Sequence, residues 1–232
     1  DQLQLTFGGA YNKYVGDHYG EIIWARYASN SDIRDRYYDN RTTKTDFNNY
    51  LKATYTFGKF TAYGDLQLRI VNYVANGIDE DGNTIDVDKS FTFFNPKAGI
   101  NYALDEQSRV YASIAVAHRE PVRADFLDAP ANLQPKAEQL IDYEAGYELH
   151  TERAFFNANL FYMDYTNQLV LTGQLNDVGS AIRTNVPESF RAGIELVGSY
   201  VINKYLQVGA NFTFSQNLIQ PKHRVLLFFY KR

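Results

Sequence analysis

Residues able to do chemistry are few in this chain, and they are scattered. The four histidines, His18, His118, His150 and His223, include no pair four residues apart, and there is no cysteine to join them. A catalytic zinc usually takes three protein ligands, so no metal site is expected. His118-Arg119-Glu120 is the most suggestive charged cluster. It suits a loop mouth where a ligand is touched; the plainer reading is a strand exiting into a loop, with Pro121 ending its ladder. Asp79-Glu80-Asp81-Gly82-Asn83 looks like a calcium loop at a glance. It lacks Asp or Asn at every second position and Glu at the twelfth. Asp81-Gly82 reads instead as a turn inside a long surface loop, with a calcium ion at the rim left open. Asp32, Arg34, Asp35 and Arg36 read as a solvated loop face. Glu144 and Glu148 share one strand face, but a glycosidase pair would also need a cleft and a raised pKa; they read as part of a wall. No nucleophile elbow, phosphate-binding glycine loop or dinucleotide fingerprint occurs. The chain reads as a non-enzyme without a cofactor.

The elements that hold these side chains are strands. Within 60–74, Phe60, Ala62, Leu66, Leu68 and Ile70 alternate with Thr61, Tyr63, Asp65, Gln67 and Arg69. Within 205–215, Leu206, Val208, Ala210, Phe212 and Phe214 alternate with Gln207, Asn211 and Thr213. Segments 154–162 and 190–202 repeat the pattern, setting Asn157, Asn159, Arg191 and Glu195 opposite Phe156, Leu160, Ile194 and Leu196. Period two marks strands with one apolar and one wet face. Further strands are expected near 2–11, 20–28, 45–57, 90–103, 108–119 and 138–150. The runs reach about 9–15 residues, beyond the usual 5–6 of soluble strands and enough for a tilted strand to cross a membrane. Short connections at 58–59, 104–107, 151–153 and 203–204 alternate with long polar ones near 29–44, 75–89, 120–137 and 169–187. That is the two-rimmed pattern of an outer-membrane barrel.

Composition agrees. With 19 Tyr, 16 Phe and 1 Trp the chain is 16% aromatic, and such rings collect where an apolar band meets water. A net charge of −4 over 232 residues gives no footprint for nucleic acid. No apolar run of about 18 residues could form a membrane helix, but a closed barrel also satisfies its backbone within a bilayer. The expected fold is an all-β, antiparallel up-and-down transmembrane β-barrel with about 10–11 strands present, over residues 1–217, followed by an irregular tail over 218–232. The lumen-facing candidates are Tyr63, Asp65, Gln67, Arg69, Asn157, Asn159, Arg191, Glu195, Gln207 and Asn211; His118, Arg119 and Glu120 are the loop-mouth candidates. Two other readings stay open: a passive porin or structural barrel, and a soluble β-barrel or sandwich with its apolar face inward around an apolar ligand.

Several segments resemble a known family in order and spacing over roughly 91–200: Phe94-Asn95-Pro96-Lys97-Ala98-Gly99 opening a strand; YASIAVAHREPVRADF over 111–126; AEQLIDYEAGYE over 137–148; FYMDYTNQLVLTG over 161–173; and NVPESFRAGIEL over 185–196. Together they resemble the C-terminal barrel half of TonB-dependent outer-membrane receptors. The resemblance implies a 22-stranded barrel in the outer membrane of a Gram-negative cell, with a lipid bilayer around it and an N-terminal plug domain within. It further implies import of a small nutrient, such as a ferric siderophore, haem, cobalamin or glycan, driven by the TonB system. This chain departs from the pattern in carrying no plug and no TonB box, about half the strands, and Arg232 where such barrels usually finish on an aromatic residue.

Overall fold

The computed structural model describes residues 2–220 apart from 28–31, 81, 130–132, 177–178 and 180. Among them run nine strands: β1 (Gln2–Glu21), β2 (Arg36–Phe57), β3 (Phe60–Ile78), β4 (Thr84–Ala103), β5 (Ser108–Arg119), β6 (Glu138–His150), β7 (Ala154–Leu175), β8 (Ala181–Asn203) and β9 (Leu206–Gln220), with one short helix, α1 (Arg123–Leu127), between β5 and β6. Every strand pairs antiparallel with its sequence neighbours, in the order β1 to β9. The sheet is open, with β1 and β9 as its edges. One rim carries the expected short turns; in that at 58–59, Gly58 takes a φ of 55°, where a side chain would be strained.

Two faces follow from the register, and α1 packs on what is here called the inner one. Eleven-residue stretches such as Phe60 to Ile70 hold apolar outer residues. At about 3.3 Å per residue and a tilt of about 40°, each spans about 25 Å. The outer side chains are bare: Leu66 is 52%, Leu160 58% and Phe214 68% exposed. Toward the middle of the sheet inner polar residues are covered instead, Asn95 to 6% and Asn159 to 8%, while Arg191, Glu195, Gln207 and Asn211 near the β9 edge are exposed. Leucines out and asparagines in is the reverse of a soluble sandwich, whose core would be apolar. Near the short-turn rim, Tyr55, Phe57 and Phe60 stack along the outer face and Tyr102 meets Phe60 at a tilt, with centroids 5.4, 5.4 and 4.6 Å apart in sequence, as in the aromatic girdle of a membrane barrel.

Past this band the polarity of the faces inverts. On β3 the inner residues become Val71, Tyr73 and Ala75, all buried, while Asn72 and Asn76 turn outward. On β4, Ile85 and Val87 lie inward and Asp86 and Asp88 outward. Phe126 and Leu127 of α1 cover Tyr73, Ala75 and Ile85 to make a small dry core. The Phe126 ring stacks 5.8 Å from Tyr73.

This inversion explains where sequence and structure differ. Of the long loops expected near 29–44, 75–89 and 169–187, much is strand: β2 begins at Arg36, β3 and β4 are joined by 79–83, and β7 and β8 by 176–180. Above the band both faces meet polar or mixed surroundings, so alternation fades while the ladder continues. The strand expected over 20–28 is not a separate element, because β1 runs unbroken to Glu21, and among the described residues the strands number nine where about 10–11 were expected. Of the tail expected over 218–232, residues 218–220 belong to β9 and 221–232 lie outside the described residues. Asp81 of the expected turn lies outside them too.

Candidate functional site

The site is built on the inner face, and three levels can be distinguished. The lowest is a polar wall inside the apolar band. Tyr63, Asp65, Gln67 and Arg69 take successive inner positions on β3. The register carries the same face to Asn157 and Asn159 on β7, Arg191 and Glu195 on β8, and Gln207 and Asn211 on β9. All ten wall residues singled out by sequence thus share one face, although the edges of the sheet lie far apart in strand order. Asn159 stands opposite Glu195, and Asn157 in one row with Asn211 through Val197. The Tyr111 hydroxyl donates to Asn159 Oδ1 at 3.0 Å. Asp142, Glu144 and Glu195 also lie on this wall, and among the described residues no basic side chain forms an ion pair with them. Arg191 instead lies over the Tyr165 ring at 5.2 Å.

The second level sits at the top of the band, where a charged quartet closes the wall. Arg69 donates to both carboxylate oxygens of Asp46 and, through Nη1 and Nη2, to Glu120 at 2.8 and 2.9 Å. Lys44 Nζ donates to Glu120 Oε1 at 2.7 Å. Glu120 is 7% exposed. Burial alone would raise its pKa, but the bonds from Lys44 and Arg69 outweigh it and hold the carboxyl below its ordinary value. The planar guanidinium fork is what lets one residue serve two carboxylates.

The third level is the β5–β6 connection, which folds inward from Glu120. Arg123 Nη2 donates to Asn40 Oδ1 at 3.0 Å. Asp125 Oδ2 accepts the Val122 N–H at 2.8 Å, and its other oxygen lies 3.5 Å from Arg183 Nη1 on β8. Lys136 and Asn185 exchange two hydrogen bonds, at 2.8 and 3.0 Å. The connection therefore reaches from β2 and β3 to β8 across the outer mouth. A cleft lies between it and β8, lined by Asp125, Leu133, Lys136, Arg183 and Asn185.

The three loop-mouth candidates separate. His118 Nδ1 lies 2.8 Å from Asn95 Oδ1, with its ring stacked on Phe93. The Asn95 amide in turn donates to Gln67 Oε1 at 3.0 Å. Arg119 pairs with Glu138 at 3.1 Å. Only Glu120 joins the quartet. Sequence reasoning passed over Lys44 and Asn40, which fell in a segment read as loop, and Asp125 and Arg183. The one cue available was a carboxylate immediately before Pro121, followed by the charges of Arg123 and Asp125.

The family model described as TonB dependent receptor-like, beta-barrel, matches residues 1–230. The chain belongs to the TonB-dependent receptor β-barrel family. Receptor barrels of this family reside in the outer membrane of Gram-negative bacteria. Among solved structures this barrel segment is similar to the closed form of the ferric-catecholate import receptor Fiu of E. coli K12, with a TM-score of 0.69 and 19% identity over 96% of this chain and 36% of that one. It is similar to the copper transporter OprC, with a TM-score of 0.71 and 13% identity over 94% and 36%. The FrpB iron transporter of Neisseria meningitidis (F3-3 variant) gives a TM-score of 0.57 and 24% identity over 76% and 26%. These likenesses concern the fold, and the receptor-barrel segment spans only 26% to 36% of those proteins' own lengths. No curated protein matches.

Proposed function

We propose that the chain is part of an outer-membrane receptor that binds a scarce nutrient at its outer mouth and imports it actively. The cargo would be a ferric siderophore, haem, cobalamin or glycan. The observation that carries this reading is the pairing of an exposed apolar outer band with a polar inner wall, closed above by an inward-folded connection. A wall with lipid behind it supports Asp142, Glu144 and Glu195 poorly unless positive charge stands opposite them. In a receptor that charge would come from basic side chains of a plug domain filling the lumen. Tyr63, Asp65, Gln67 and Arg69 would face the same plug. His118, Arg119 and Glu120 would sit at the base of the ligand mouth, and Glu120 would hold the β5–β6 connection there.

The test uses the intact receptor in its own cell. Its loss should abolish uptake of one iron chelate, haem, cobalamin or glycan from a labelled panel, and so should loss of TonB. Uptake that survives loss of TonB, together with rapid sugar permeation through vesicles holding the purified protein, would instead establish the passive porin.

A further inference from the structure

Within the apolar band, four glycines on the inner face lie beneath an aromatic ring from the strand directly opposite; above the band, Gly20 lies against both Tyr38 opposite it and Tyr37. A Cβ added at Gly8 on β1 would meet the Tyr50 ring of β2 at 2.6–2.8 Å. One at Gly99 on β4 would meet the Tyr63 ring of β3 at 2.5–2.8 Å. Gly146 on β6 lies against Tyr111 of β5, and Gly193 on β8 against Phe161 of β7, at 2.8 Å. All four are cross-strand partners in the register. Each of the four falls inside a hairpin joined at the rim opposite the short turns, and every such hairpin has one within the band. Across the short-turn seams these rings face other residues: Gln67 for Tyr50, Thr54 for Tyr63, Asn101 for Tyr111 and Glu144 for Phe161.

An aromatic lying on an opposite glycine shields bare backbone from water and fills the gap left by the missing side chain. It also distinguishes one register from its neighbours, since a two-residue slip sets the ring on a side chain instead. Phe161 in one of the four positions shows that the ring, rather than a hydroxyl, is the common element. We propose that these contacts are register clasps, which commit the hairpins β1–β2, β3–β4, β5–β6 and β7–β8 as units while the barrel assembles.

The β3–β4 clasp gives the cleanest test, because the three nearest atoms to a Cβ at Gly99 all belong to Tyr63. Cells making the intact receptor are pulse-labelled, and conversion to the compact, heat-modifiable form is followed. Tyr63→Ala and Gly99→Ala should each slow conversion by about fivefold to tenfold. The double variant should be no slower than the slower single, because both remove one contact. Tyr63→Phe should convert like the parent, and Tyr63→Leu should fall between Phe and Ala. Two controls separate clasp from general damage: Gly64→Ala, where a Cβ meets nothing within 4 Å, and Lys52→Met, which removes the ammonium lying 5.5 Å from the Tyr63 ring across the seam. Both should convert like the parent. Parent-like rates for Tyr63→Ala or Gly99→Ala overturn the proposal. So does a Gly64→Ala or Lys52→Met variant as slow as Tyr63→Ala.

Discussion

Leu160 and Asn157 lie three residues apart on β7 and face opposite ways, so one substitution at both positions measures the assignment of the faces. Leu160 is 58% exposed on the outer face, six residues from Ala154 at the short-turn end of its strand and two from Tyr162. At about 2.5 Å of height per residue, this places it near the middle of the apolar band. An arginine there must leave water for hydrocarbon, which costs about 2–4 kcal/mol. At 1.36 kcal/mol per factor of ten, that lowers the folded-to-unfolded ratio about 30-fold to 900-fold. Asn157 is on the inner face opposite Glu148, so an arginine there finds a carboxylate across the strand and should cost less than about 1 kcal/mol. The assay is urea-dependent folding of the intact receptor into lipid vesicles, read by the heat-modifiable band on gels. A loss for Asn157→Arg as large as that for Leu160→Arg, or no loss for Leu160→Arg, would refute the assignment of the faces.

Arg69→Met should destabilise by about 3 kcal/mol, since it strands Asp46 and leaves the buried Glu120 with Lys44 alone; adding Glu120→Gln should recover part of that loss in the same unfolding assay. Glu120 has its pKa held below 4.5 by Lys44 and Arg69. Its contribution is therefore fully present above about pH 4.5 and lost as pH falls through the depressed value. Protease cleavage within 120–137 should rise across that acid range in the parent, and Glu120→Gln should abolish the step. Phe126→Ala, which removes the ring over Tyr73, should cost about 2 kcal/mol and increase cleavage of the same connection at neutral pH; a digestion rate equal to the parent's would show that α1 is not held by this core.

Within the band the fold could be read from sequence almost residue by residue. Phe60, Leu66 and Ile70 alternate with Thr61, Asp65 and Arg69 because lipid and a wet interior demand opposite chemistries on the two faces. Above the band that demand ends. Val71, Tyr73 and Ala75 continue the same strand with the apolar residues now inward, so a reader following a fixed phase sees the pattern break and infers a loop. The quartet was legible only at Arg69, which lay in the alternating stretch, and at Glu120, which stood out by charge. Their partners Lys44 and Asp46 straddle the boundary of the segment read as loop, and no local spacing joins residues 44, 69 and 120. Register across three strands brings them together, and register is fixed by the whole ladder.

The continuation of β3 from Ile70 to Ile78 adds eight residues beyond the hydrocarbon, a collar about 20 Å high. The polar headgroup layer on one side of a bilayer is only about 5–8 Å thick. The upper edge of the collar, above Glu120 and α1, therefore lies in bulk solvent, clear of the lipid surface and of its potential, where salt would set the range of attraction for a charged cargo of the proposed receptor. Docking at that height should respond to ionic strength but little to the charge of the lipids around the barrel.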